Sequence, residues 1–128
     1  MSNKKRILIV EDDKMICLMY KTKFEIENFQ VISAISSEQA IDILKKNIPD
    51  LILLDILLPR KSGITFLREV KQIKKVSKVP VIIFSNYDDS VTKEKAKELG
   101  VKDYLIKTEF TPKQLLAKIK EYFKHQTK

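Results

Sequence analysis

Apolar residues in this chain fall in short runs separated by stretches with helical spacing, and the alternation repeats five times. The runs are Arg6 to Val10 (RILIV), Gln30 to Ala34 (QVISA), Leu51 to Leu54 (LILL), Val79 to Phe84 (VPVIIF) and Val101 to Ile106 (VKDYLI). Runs this short, bounded by turn residues, predict strands, and their near-continuous apolarity predicts burial on both faces. Pro80 fits such a strand only near its start. The intervening segments predict helices. The first carries Ile16, Met19, Tyr20 and Phe24. The second opens on a capping box of Ser36 and Gln39 and carries Ala40, Ile43 and Leu44. The third runs from about Ile64 to Lys75, burying Phe66 or Leu67, Val70 and Ile73. The fourth, from about Asp89 to Leu99, is closed by Gly100 at C′. Its apolar stripe of Val91, Ala96 and Leu99 is thin, which predicts a loosely held helix. Thr111 as N-cap and Pro112 at N1 open the last, with Leu115, Leu116, Ile119, Tyr122 and Phe123 inward.

Five strand–helix units in alternation imply an α/β fold: a parallel, doubly wound sheet with right-handed crossovers and helices on both faces. Of the two common strand orders for such sheets, five strands favour 2-1-3-4-5. Strands 1 and 3 are then neighbours, and the crevice beyond their carboxyl ends is where a ligand binds.

The residues that follow the strands are of particular kinds. Glu11, Asp12 and Asp13 follow the first, Asp55 the third, Ser85 and Asn86 the fourth and Lys107 the fifth. Three carboxylates within ~4–6 Å oppose one another's ionisation unless a proton or cation lies among them. The hard cation suited to one or two direct carboxylates, waters and phosphate is Mg²⁺. A carboxylate beside that ion, an ammonium and a hydroxyl suits phosphoryl transfer onto the carboxylate itself, with Asp55 the nucleophile. Asp13 reads as the N-cap of the first helix. Two glycines in the whole chain leave no room for a nucleotide-cradling loop. Phosphatases of the dehalogenase type need a second aspartate where this chain has Leu57.

Composition adds bounds. At 128 residues the chain is one domain with a real core, 44% hydrophobic and 33% charged. One Cys, Cys17, and one His exclude an internal disulfide and disfavour zinc. No apolar run approaches the ~20 residues of a membrane span, so no membrane insertion is expected and the expected compartment is the cytoplasm. The net charge of +8 comes from lysines on nearly every helix, which reads as a solvated surface rather than a nucleic-acid footprint.

Taken in order, LIVEDD, LLDILLPRKSG, VIIFSN and DYLIK make the chain resemble the receiver domains of bacterial two-component response regulators, in particular the stand-alone chemotaxis type with its flavodoxin-like fold. The resemblance implies that Asp55 is the phosphoacceptor and that Asp12 and Asp55 bind Mg²⁺ directly. It implies Glu11 acting through water and Leu57 contributing its backbone carbonyl. Ser85 is then the switch hydroxyl, Lys107 the lysine that meets the phosphoryl group, Asn86 a backbone contact to it, and Tyr104 the aromatic that turns inward. Two positions depart from the family pattern. Asn86 stands where a small residue is usual, and Thr108 follows Lys107 where proline, often cis, is usual.

The implied function is a phosphorylation-activated switch that takes its phosphoryl group from a sensor histidine kinase or a histidine phosphotransfer protein. It would be no enzyme beyond its own aspartyl phosphorylation and dephosphorylation. Residues 1–128 read as a single receiver domain without an output domain, so output would pass to a downstream target protein or a phosphorylation-dependent dimer through helix 4, strand 5 and helix 5. Two alternatives stand beside it: a constitutive basic or nucleic-acid-binding module with a vestigial acid pocket, and a receiver taken from a longer response regulator.

Overall fold

The structure, a computed structural model, describes residues 4–126. Five parallel strands, β1 (Arg6–Val10), β2 (Gln30–Ala34), β3 (Leu51–Leu54), β4 (Val81–Ser85) and β5 (Asp103–Ile106), pair in the order β2-β1-β3-β4-β5. The helices are α1 (Lys14–Ile26), α2 (Ser37–Leu44), α3 (Gly63–Gln72), α4 (Ser90–Glu98) and α5 (Pro112–Gln126).

Successive strand residues face opposite sides, and the sheet therefore supports two cores. Leu8, Val10, Ile52, Leu54, Val81 and Ile83 meet Ala40, Leu44, Phe66, Leu67, Val70 and Ala96 from α2, α3 and α4. Ile7, Ile9, Leu51, Leu53, Ile82, Phe84 and Leu105 meet Cys17, Tyr20, Phe24, Leu115, Ile119 and Phe123 from α1 and α5. All four residues of β3 are buried, as a strand covered on both faces requires.

Local chemistry sets most of the boundaries. Asp13 Oδ1 accepts from the backbone N–H groups of Met15 and Ile16 and so caps α1. Ser36 Oγ accepts from Gln39 N–H, while Gln39 Oε1 reaches the N–H of Ile35, one residue earlier than a reciprocal box. Thr111 and Gln114 close the full reciprocal box at α5. Gly100 lies at C′ of α4 with φ +85°, a conformation that costs glycine nothing.

Several limits differ from the pattern reading. Helix α3 stops at Gln72 instead of Lys75, because Ile73 turns to extended backbone as its C-cap; Phe66 and Leu67 are both buried. Strand β4 begins at Val81 and β5 at Asp103, since pairing with the neighbouring strand, rather than apolar character, decides where a ladder starts. Met19 and Val91, placed inward by spacing, are exposed, and Cys17 takes the inward place on α1. Among its residues α4 buries Ala96 alone, in keeping with a thinly held helix.

Candidate functional site

Register brings the site together. Val10 pairs with Leu54, so the next residues, Glu11 and Asp55, leave the sheet side by side, and Asp55 N–H donates to Val10 O over 3.0 Å. Ser85 pairs with Ile106, which brings Lys107 off β5 beside it. Four strand ends thus deliver their polar residues to one crevice at the switch point of the sheet.

Asp55 is buried and both its oxygens are engaged. Ser85 Oγ donates to Oδ1 over 2.6 Å and Leu57 N–H donates to the same atom over 3.1 Å. Lys107 Nζ donates to Oδ2 over 2.9 Å and also to Glu11 Oε1. The ammonium is therefore the positive charge shared by two buried carboxylates. Burial opposes the Lys107 charge, but the hydrogen bonds to Glu11 and Asp55 outweigh it and hold its pKa above the ordinary lysine value. Burial raises the Glu11 pKa, against the lowering pull of Lys107.

Glu11, Asp12 and Asp55 each offer an oxygen, and these lie within 4.8 Å of one another. Asp12 is exposed at the mouth, whereas Glu11 and Asp55 are buried. This all-oxygen donor set fits a hard divalent ion such as Mg²⁺. Leu57 has its side chain outward, 53% exposed, and follows Asp55 closely enough for its backbone to face the same carboxylate.

Tyr104 is half-buried, with its hydroxyl donating to Tyr87 O over 2.5 Å and the ammonium of Lys93 5.7 Å from its ring centroid. Its pKa is pushed up to about 12, by burial first and by the charges of Asp88, Asp89 and Asp55. Tyr87 N–H in turn donates to Ser85 Oγ, so the tyrosine and the hydroxyl share one loop.

Three features of the site were outside the sequence reading. Lys107 reaches Glu11 as well as Asp55. Gly63 packs its backbone onto that of Asp55; the signal was there, in one of only two glycines lying where a helix begins. The two departures, Asn86 and Thr108, are joined: Thr108 N–H donates to Asn86 Oδ1 over 3.1 Å. No peptide bond among the described residues is cis, and a 3₁₀ turn, Lys107–Glu109, carries the chain away from the site.

A five-stranded parallel sheet of this order, with acids, a hydroxyl and an amine gathered at its strand ends, defines a class of doubly wound α/β domain, and comparison with known proteins gives the family. The chain belongs to the response regulator receiver domain family, whose pattern matches residues 7–120. It is 37% identical over 115 residues to the transcriptional regulatory protein CpxR of Escherichia coli K12, covering 90% of this chain and 47% of that one. It is 33% identical over 125 residues to the probable transcriptional regulator ycf27 of Porphyridium aerugineum, covering 98% and 50%. The chain thus spans about half the length of these relatives. A CheY-like receiver domain protein from Methanospirillum hungatei superposes with a TM-score of 0.89 at 28% identity, covering 97% of each chain. The BeF3-activated N-terminal receiver domain of Klebsiella pneumoniae RstA gives 0.81 at 28% identity, covering 91% of this chain and 96% of that one.

Proposed function

We propose that this domain is a phosphorylation-activated switch in which Asp55 takes a phosphoryl group from a phosphohistidine on a sensor histidine kinase or a histidine phosphotransfer protein. The observation that carries this reading is the grip on Asp55: a hydroxyl from the end of β4 and an ammonium from the residue after β5 each hold one of its oxygens. A carboxylate oxygen of Asp55 attacks phosphorus and the P–N bond breaks; its electron pair stays on the departing ring nitrogen, and the histidine leaves as neutral imidazole with the proton on its other nitrogen. Ser85 and Lys107 then turn from the carboxylate to the phosphoryl oxygens, the hydroxyl as donor and the ammonium as charge. Mg²⁺, held directly by Asp12 and Asp55, by Glu11 through water and by the Leu57 carbonyl, would supply further positive charge to those oxygens. Asn86 lies next to Ser85, where its backbone would meet the same group.

Drawing Ser85 inward moves the loop that holds Tyr87, and through it the Tyr104 hydroxyl. Tyr104 can then turn inward and repack α4, β5 and α5. Output on this reading passes to a downstream target protein, or to a phosphorylation-dependent dimer, through that surface, in the cytoplasm. CpxR and ycf27 are transcriptional regulators by name; the proposal for this chain is a protein–protein output. Catalysis is limited to the domain's own phosphorylation and dephosphorylation.

The test is labelling by a phosphorylated kinase domain or a small acyl phosphate, with and without Mg²⁺. Wild type should label only with Mg²⁺, and Asp55→Asn, which keeps the shape and removes the nucleophile, should not label. Labelling of that variant at the wild-type rate would overturn the assignment.

A further inference from the structure

Asn86 and Thr108 each directly follow one of the two groups that grip Asp55, the Ser85 hydroxyl and the Lys107 ammonium. The β4–β5 ladder ends at the pair Ser85 and Ile106. Beyond that pair the strands part, β4 into the loop before α4 and β5 into the 3₁₀ turn. The hydrogen bond from Thr108 N–H to Asn86 Oδ1, 3.1 Å long and 22 positions apart in sequence, spans that divergence. A side-chain carbonyl here stands in for the next rung of the ladder. Position 108 supplies a free N–H, which proline lacks.

We propose that Asn86 is a positioning residue whose carboxamide clips the β4–α4 loop to the β5–α5 loop, so that Ser85 and Lys107 move on Asp55 as one unit. The proposal rests on the reading of Asp55 as phosphoryl acceptor.

A phosphoryl group on Asp55 must displace a hydroxyl that sits 2.6 Å from Oδ1. Lys107 carries its charge on a flexible four-carbon stem, and ordering such a chain costs rotamer entropy each time it regrips. Joining the backbones next to the hydroxyl and the ammonium limits how far the two can separate while the phosphoryl group enters. The clip, a solvent-exposed hydrogen bond, also keeps the two loops from parting once the phosphoryl group is bound, and so holds Ser85 and Lys107 on the phosphoryl oxygens. The β4 side of the clip is itself anchored, by Tyr87 N–H on Ser85 Oγ and by the Tyr104 hydroxyl on Tyr87 O. Motion of Tyr104 is therefore transmitted to the clipped pair.

The experiment compares Asn86→Ala, Thr108→Pro, the double variant and Thr108→Ala, which keeps the N–H. The readouts are the half-life of the labelled protein and amide hydrogen exchange at Ser85, Lys107 and Thr108. Asn86→Ala and Thr108→Pro should each shorten the half-life about two- to tenfold, the factor that one neutral hydrogen bond represents. The double variant should do no more than either single one, because both remove the same bond, and Thr108→Ala should match wild type. In unlabelled Asn86→Ala the three amides should exchange faster together. Unchanged exchange at Thr108 in Asn86→Ala, or multiplying effects in the double variant, would overturn the clip. Because exchange is read without phosphate, a failure of wild type to label tells against the acceptor reading and leaves the exchange test of the clip standing.

Discussion

Gly63 approaches the backbone of Asp55 so closely that a Cβ on it would lie 2.6 Å from the Asp55 carbonyl oxygen and 2.7 Å from Ile56 Cα. Both obstacles are backbone and cannot rotate away. Gly63 N–H also donates to Ile56 O over 2.8 Å, tying the start of α3 to the residue after Asp55. We expect Gly63→Ala to destabilise the fold by about 1–3 kcal/mol, as overpacking does, and to slow labelling of Asp55 by shifting its carboxylate. Urea unfolding and labelling rates check this; wild-type values for both would mean that α3 slides at little cost.

The Lys107 ammonium pairs with Glu11 and Asp55 at once, one positive charge between two negative ones, with side-chain exposures of only 16%, 7% and 8% for the three. Lys107→Ala leaves two buried carboxylates without their cation, and in metal-free protein it should lower stability by about 1–3 kcal/mol. Mg²⁺ affinity should hold or rise, because the ion no longer shares its carboxylates with an ammonium. The hydrogen-exchange response to beryllofluoride should be lost. Calorimetric titration decides: a fall in affinity as large as that in Asp12→Ala would give Lys107 a different role.

Asp12 is the exposed member of the acid trio. Its replacement by alanine would remove one of the few ligands proposed for Mg²⁺, and Mg²⁺ affinity should drop about tenfold or more. Relief of like-charge repulsion should leave the metal-free fold at least as stable as wild type. Undiminished binding would place the ion elsewhere.

Cys17 lies under the site, its Sγ donating to Glu11 O over 3.2 Å. Burial, aided by the charges of Glu11 and Asp13, pushes its thiol up from 9.0 to about 11. The folded state keeps its proton where the unfolded state has lost it, so its contribution to stability is intact below pH 9 and falls as pH rises towards about 11. Alkylation of the folded protein should accordingly be slow at pH 8 and rise with a midpoint well above 9. A midpoint at the ordinary thiol value would contradict the burial argument.

The clip between Asn86 and Thr108 shows where sequence reasoning stopped. Each residue was visible as a departure from the family pattern, yet their meeting depends on two loops that lie 22 positions apart. No spacing rule relates them, because the distance between loops is set by sheet pairing and not by chain length. The same holds for the contact of Lys107 with Glu11, which are 96 positions apart.

Local and periodic features were readable from the residues alone. Buried strands such as Leu51–Leu54 followed from uninterrupted apolar runs, and the caps at Asp13, Ser36 and Thr111 from side chains that reach their own backbone within three residues. The strand-end chemistry of Glu11, Asp12, Asp55, Ser85 and Lys107 was legible because five βα units favour one of the two common strand orders, and order decides which ends converge. Packing across the fold sets which oxygen of Asp55 each donor holds, turns Met19 and Val91 outward, and stops α3 at Gln72. The physical reason is that hydrogen-bond partners and burial are properties of distances across the fold, and a helix or strand ends where its packing ends, whatever its own residues prefer.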